Sequence, residues 1–285
     1  MTENEHSVSG TVLALLFGTF LQFLIGVSTS GLNRMMVPYG YLLRFIAYVV
    51  PLYLVIGWLC RQKQMTLADC RIPRFGLSWR GPSVAALLFM AFAGALLFMQ
   101  PGHWVVGDMP GAAVRERLFF LLFGSGFCSG MTEEMMFRGY LTKISEWQWG
   151  KVKGMIAPTV LFILIHYRAG VPLVVFLHQA VFLGSLSVLL SVVTYQSGRV
   201  WDAAFLHGFW NIFPARSTVF SVDAAPDPNA FFTYVLADAA AHPLMALSQM
   251  QRLLAAAALL WVVTALLLLA AKLRNRPLLG GASAV

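Results

Sequence analysis

In 285 residues, 59% are hydrophobic and only 11% charged, too little polar surface for a soluble globule of this length. The net charge of +8 raises the question of a nucleic-acid partner, but the basic residues are spread along the chain between apolar runs rather than gathered in one block. Three cysteines, Cys60, Cys70 and Cys128, are odd in number and scattered, which offers neither a disulfide framework nor a Cys-x-x-Cys metal pair.

Read in chain order, the hydrophobic segments fall at about 11–30, 41–60, 82–100, 117–140, 154–170, 172–195, 200–213 and 252–271. Most approach the ~20 residues needed to cross a hydrocarbon core; those at 154–170 and 200–213 are short, and either extend into their flanks or enter the protein without crossing. The first segment follows ten residues with Glu3 and Glu5 and no Lys or Arg. A cleaved signal peptide opens with positive charge, so this run is expected to remain as the first span. The pattern predicts an all-α, polytopic transmembrane bundle of about eight helices. It forms one domain over 1–285, with a motif-bearing core at about 117–213 contributed by helices 4, 5 and 7.

Alternation of sides gives the orientation. With the N-terminus inside, inner loops hold Arg61, Lys63, Arg71, Arg74, Arg80, Lys143, Lys151, Lys153, Arg199, Lys272, Arg274 and Arg276. Outer ones hold Arg34, Arg44, Arg115, Arg117, Arg168, Arg216 and Arg252. Lys and Arg favour the cytoplasmic side, so both termini are expected on the cytoplasmic face of an inner (plasma) membrane. The one long loop, 214–250, then lies outside and is acidic through Asp223, Asp227 and Asp238. Anionic membrane lipids account for the basic excess, and nucleic acid is not needed as a partner. Trp147 and Trp149 among Lys143, Lys151 and Lys153 read as an interfacial anchor.

Ionisable side chains inside spans are costly and mark function. The fourth segment contains Glu133-Glu134-Met135-Met136-Phe137-Arg138, the fifth Phe162 and His166, the seventh His207 and Asn211. On a helix Glu134 and Arg138 share a face as a buried ion pair, while Glu133 points about 100° away toward another partner. His207 and Asn211, four apart, project together. Glu133 is ten residues from Lys143 (~15 Å), His166 twelve from Gly154 (~18 Å) and His207 seven from Val200 (~10 Å), so all three can share one layer in the cytoplasmic half. Gly124, Gly126 and Gly130 permit close helix approach beside them. A lone histidine such as His178 reads as a helix-packing residue, Met135 and Met136 as lipid or core contacts, and Arg168, Glu146 and Asp202 as interface residues.

A carboxylate and an imidazole can strip a proton from water, and a second His with an Asn can hydrogen-bond the oxyanion of a tetrahedral intermediate. Burial is expected to raise the carboxyl pKa toward neutrality. Glu133 and His166 as water activators, with His207 and Asn211 as oxyanion donors, thus make a complete amide hydrolase. Zinc bound by the same residues is the alternative cofactor reading, although Asn is a poor ligand and no His-Glu-x-x-His helix is present. A proton-coupled transporter, expected to show two similar halves, and a non-proteolytic scaffold or immunity factor are the non-enzymatic alternatives.

The three motifs, Glu133-Glu134-x-x-x-Arg138, Phe162-x-x-x-His166 and His207-x-x-x-Asn211, resemble those of the CPBP family, the type II CAAX prenyl endopeptidases and their bacterial relatives. The resemblance implies that Glu133 and His166 activate water, His207 and Asn211 hold the oxyanion, and Glu134 and Arg138 support the site, without a metal in the favoured mechanism. It also implies a membrane-embedded or lipid-modified peptide as substrate. Asp202 departs from the small or apolar residue usual there.

Overall fold

The computed structural model describes residues 7–35, 37–213 and 219–279, and within them the chain is mostly helical. Ser7 caps α1 (Val8–Thr29), its hydroxyl accepting the Gly10 amide at 3.0 Å. A 3₁₀ turn, Ser30–Arg34, prolongs α1 and leads to α2 (Tyr39–Gln62); a loop at 63–79 then returns the chain to α3 (Arg80–Met99). After strand β1 (Gly102–Val106) comes a bent rod: α4 (Gly111–Phe119), a π-helical stretch (Phe120–Gly126), α5 (Phe127–Glu134), a second π stretch (Met135–Leu141) and α6 (Thr142–Gly154). Gly150, at φ 73°, kinks α6 where only glycine sits without strain. Then follow α7 (Ile156–Leu164), α8 (Leu173–Ser197), α9 (Val200–Ile212), β2 (Phe220–Asp223), β3 (Phe232–Leu236), the single turn α10 (Pro243–Ala246) and α11 (Gln249–Leu273). Ser248 and Gln251 close a reciprocal capping box at the start of α11.

Five of these helices, α1 with its 3₁₀ extension, α2, α3, α8 and α11, are long and apolar enough to cross a membrane. Their outward faces are greasy: Leu13, Phe23, Leu54 and Leu266 are each more than half exposed, as lipid-facing side chains are. The segments that looked short are short. At nine and thirteen residues, α7 and α9 rise only ~13 and ~20 Å, less than the ~30 Å hydrocarbon core. Two buried clusters fill the bundle. Leu52, Ile56, Phe137, Leu141 and Phe162 pack between α2, the rod and α7, while Leu88, Leu189, Leu190, Leu206 and Leu260 join α3, α8, α9 and α11. Because Val200 and Trp201 belong to the first cluster and Ala203 and Leu206 to the second, α9 is the wall between them.

The helical bundle carries one small addition. Strands β1, β3 and β2 form a small sheet in that order, β1 antiparallel and β2 parallel to β3, with Trp104 opposite Tyr234 and Ser221 opposite Thr233. Most of the loop expected at 214–250 is therefore structured where it is described; Arg216 lies outside the described residues. Alternating Phe232-Thr233-Tyr234-Val235 carries a strand period that the surrounding apolar runs masked. Phe89 of α3 meets the sheet through Phe220, 5.3 Å away between ring centres, and packs edge-on against Phe209 of α9 at 6.1 Å.

Opposite the sheet, the 63–79 loop closes the other end of the bundle. Here further expectations change. Cys60 and Cys70 are not scattered in space: their sulfurs lie 3.4 Å apart, buried, as free thiols. The neighbouring Cys60 thiol and burial hold the Cys70 thiol well above its ordinary range, so it stays protonated at neutral pH. Glu146, expected at an interface, is instead largely buried against Arg71, whose guanidinium donates to both carboxylate oxygens at 2.8 and 3.0 Å. Asp202, also expected at an interface, is fully buried and accepts from Ser78. Arg168 is exposed. His178 bonds the Val174 carbonyl of its own helix at 2.7 Å, and Met135 and Met136 are core residues.

Candidate active site

Glycines bring the site together. A Cβ on Gly130 of α5 would clash with the Ala204 carbonyl of α9 and stand 3.0 Å from the Gly208 amide. One on Gly208 would approach the Gly126 carbonyl at 3.1 Å. Helices α5 and α9 therefore touch backbone to backbone, the close approach that small residues permit in membranes. That contact sets His207 of α9 directly against the glutamates of α5.

Glu134 and Arg138 form the expected i,i+4 pair, Nη1 to Oε1 at 3.0 Å, with both side chains almost wholly buried. The same Oε1 also accepts from His207 Nδ1 at 2.8 Å, a bond across helices that sequence spacing could not reveal. Glu133, pointing away from that pair, directs Oε2 at the other nitrogen of His207, 3.9 Å from Nε2. From α7, His166 Nε2 comes to 4.0 Å of the same oxygen. Oε2 is buried and makes no hydrogen bond to the protein.

The second nitrogens fix the chemistry of the rings. His166 Nδ1 lies 2.7 Å from the Phe162 carbonyl, which can only accept, so Nδ1 is the donor in this bond and Nε2 is the nitrogen turned toward Glu133. His207 Nδ1 donates to the Glu134 carboxylate, which leaves Nε2 as the nitrogen that faces Glu133. Phe162 holds these parts apart and in place. Its ring lies 4.7 Å from His166 and 6.0 Å from His207 between centres, and the Arg138 guanidinium stacks 4.4 Å from it.

Asn211 sits one turn beyond His207, half-buried, and its carboxamide donates to the Ser125 carbonyl in the first π stretch at 3.4 Å. It shares the helix of His207, as expected, but this bond is to Ser125, eight residues before Glu133 on the rod. Two polar residues that the sequence reading passed over stand nearby. Tyr48 of α2 donates to the Gln22 carbonyl of α1 at 3.2 Å and lies within electrostatic reach of Glu133. Their signal was present: Gln22 is an isolated amide in an apolar run.

The gaps of 3.9 and 4.0 Å suit a water ~2.8 Å from each partner. Tetrahedral zinc, with ligands at about 2.0–2.2 Å, needs donor separations of about 3.3–3.6 Å, closer than either gap.

Residues 115–213, from α4 to α9, match the family model described as type II CAAX prenyl endopeptidase Rce1-like, a stretch covering about a third of the chain. Neither a curated protein nor a solved structure matches the chain.

Proposed function

From the Rce1-like domain carried by residues 115–213 of this membrane protein, we propose that the chain is an intramembrane endopeptidase of the type II CAAX kind, acting on a membrane-embedded or lipid-modified peptide. One observation carries the division of labour: the two imidazoles that face Glu133 are tied at their far nitrogens to different acceptors, a neutral carbonyl for His166 and a carboxylate for His207.

On this reading a water between Glu133 Oε2 and the Nε2 of His166 loses a proton to Glu133, with His166 accepting a hydrogen bond from it or sharing the proton. The resulting hydroxide attacks the scissile carbonyl. Charge that develops on the carbonyl oxygen is met by the Nε2–H of protonated His207 and by the Asn211 amide, once that amide turns from Ser125 to the substrate. Glu134 orients the His207 ring through Nδ1, and Arg138 holds Glu134 in place. Collapse of the intermediate passes the proton held by Glu133 to the leaving amine. No metal takes part. The basic 63–79 and 272–276 segments favour a cytoplasmic position for that end of the bundle, beside anionic lipid headgroups.

Zinc hydrolysis by Glu133, His166 and His207 is the second reading, favoured by the two Nε2 lone pairs that would converge on one point if both rings were neutral. Exhaustive chelation separates the two: full activity is expected to survive it, and loss restored by added zinc would overturn the metal-free mechanism. The function itself is tested in native membranes by quantitative proteomics of wild type against Glu133→Gln. Accumulation of uncleaved precursors in the variant is expected; identical peptide profiles would reject an endopeptidase.

A further inference from the structure

Outside the Glu133 cluster, Asp202, in the first turn of α9, is a fully buried carboxylate. Its Oδ1 accepts the Ser78 amide at 2.9 Å and its Oδ2 the Ser78 hydroxyl at 2.6 Å. Arg199, which precedes α9, gives it no side-chain cap, so the orphan amides of its first turn need acceptors from elsewhere. The loop supplies one: Val200 donates to the Arg71 carbonyl at 2.8 Å. Trp201 Nε1 donates to the Pro73 carbonyl at 2.9 Å, and Gly81 lies so close to the Asp202 carbonyl that any Cβ there would clash. Residues 71–81 thus wrap the start of α9 on several sides.

The same loop grips the rod. Arg71 pairs with Glu146 of α6, and a Cβ on Gly139, one residue past Arg138, would come within 3.2 Å of the Cys70 carbonyl. A single strap therefore touches the glutamate-bearing rod at one edge and α9 at the other, five residues before His207. The glycine contact between α5 and α9 sets how near the helices come. Its glycines carry no side chains to interlock against sliding or rotation. A buried carboxylate with two directional bonds supplies the missing stop, and its negative charge suits the N-terminal end of α9.

We infer that Asp202, latched by Ser78, is a positioning residue that fixes the height and rotation of α9, and with them His207 and Asn211. For catalysis this rests on the endopeptidase reading; for the helix it does not. Hydrogen exchange and kinetics of the full chain in nanodiscs test both parts, with Asp202→Ala, the milder Ser78→Ala, and Asp202→Asn, which keeps an acceptor for the Ser78 amide. In Asp202→Ala, exchange is expected to rise across 203–212 while α8 keeps its wild-type rates. Ser78→Ala is expected to show the same pattern more weakly. The kcat is expected to fall about tenfold or more with KM little changed, as misplacement of a catalytic group by ~1 Å can cost about a hundredfold. Asp202→Asn is expected to restore most of both properties. Unchanged exchange in 203–212, or an Asn variant as defective as Ala, would overturn the inference. If wild type and Glu133→Gln cleave equally, the endopeptidase reading fails instead, and the exchange comparison still decides whether Asp202 positions α9.

Discussion

At Glu134 one oxygen accepts from both Arg138, at 3.0 Å, and His207, at 2.8 Å, so deleting that carboxylate strands two buried nitrogen-bearing groups. Glu134→Ala is expected to destabilise the protein by about 3–5 kcal/mol, the range for breaking a buried pair from one side. Thermal unfolding in detergent measures this, and a loss under 1 kcal/mol would mean that Arg138 finds other partners. In turnover, His207→Ala is expected to lose ~10²–10³ in kcat, as for one oxyanion donor. Because Glu134 acts through His207, adding Glu134→Gln to His207→Ala is expected to cost little more; fully additive losses would contradict the link. At this scale the sequence was partly legible. Spacing of four paired Glu134 with Arg138, and adjacency turned Glu133 elsewhere. The bond from Glu134 to His207 spans 73 residues and depends on how α5 meets α9, which no local periodicity records.

That meeting is an affair of elements, and glycine governs it. Gly130→Ala places a methyl against the Ala204 carbonyl, backbone that cannot rotate aside, so the helices must part. A destabilisation of about 1–3 kcal/mol is expected, with kcat reduced although no polar group has changed. Gly111→Ala, with nothing within 4 Å of the new carbon, is the control and is expected to hold or raise the melting temperature. Equal melting temperatures for the two variants would dispose of the glycine contact as an organising feature. The Gly126–Gly130 pair was readable as a packing signal. The π stretches on either side of α5 were not, since a helix that widens by one residue per turn keeps the same apolar composition; π turns recur at functional sites and here bracket the two glutamates. The role of the 63–79 strap was equally hidden. Asp202 looked like an interface residue because its partner, Ser78, lies 124 residues away.

Across the whole molecule the two ends differ in kind, a basic strap at one and a sheet at the other. If the positive end faces the cytoplasm, a cysteine introduced at Ala225, exposed beside the sheet, is expected to react in intact cells with a membrane-impermeant maleimide. One at Lys153 is expected to react only after permeabilisation. The native thiols are buried and add little background; the reverse labelling would invert the topology. The helical, membrane-embedded character was plain from apolar runs alone. The small sheet escaped because its strands are four or five residues long and lie between far stronger helical signals.

The most direct test of the site uses purified protein in proteoliposomes and a panel of membrane-anchored peptides, with and without a lipidated cysteine near the C-terminus. Cleavage by wild type is expected to fall by ~10²–10⁴ in Glu133→Gln, the contribution typical of a positioned general base, with peptide binding retained. Cleavage by Glu133→Gln at the wild-type rate would contradict the account, because a group other than Glu133 would then be activating the water.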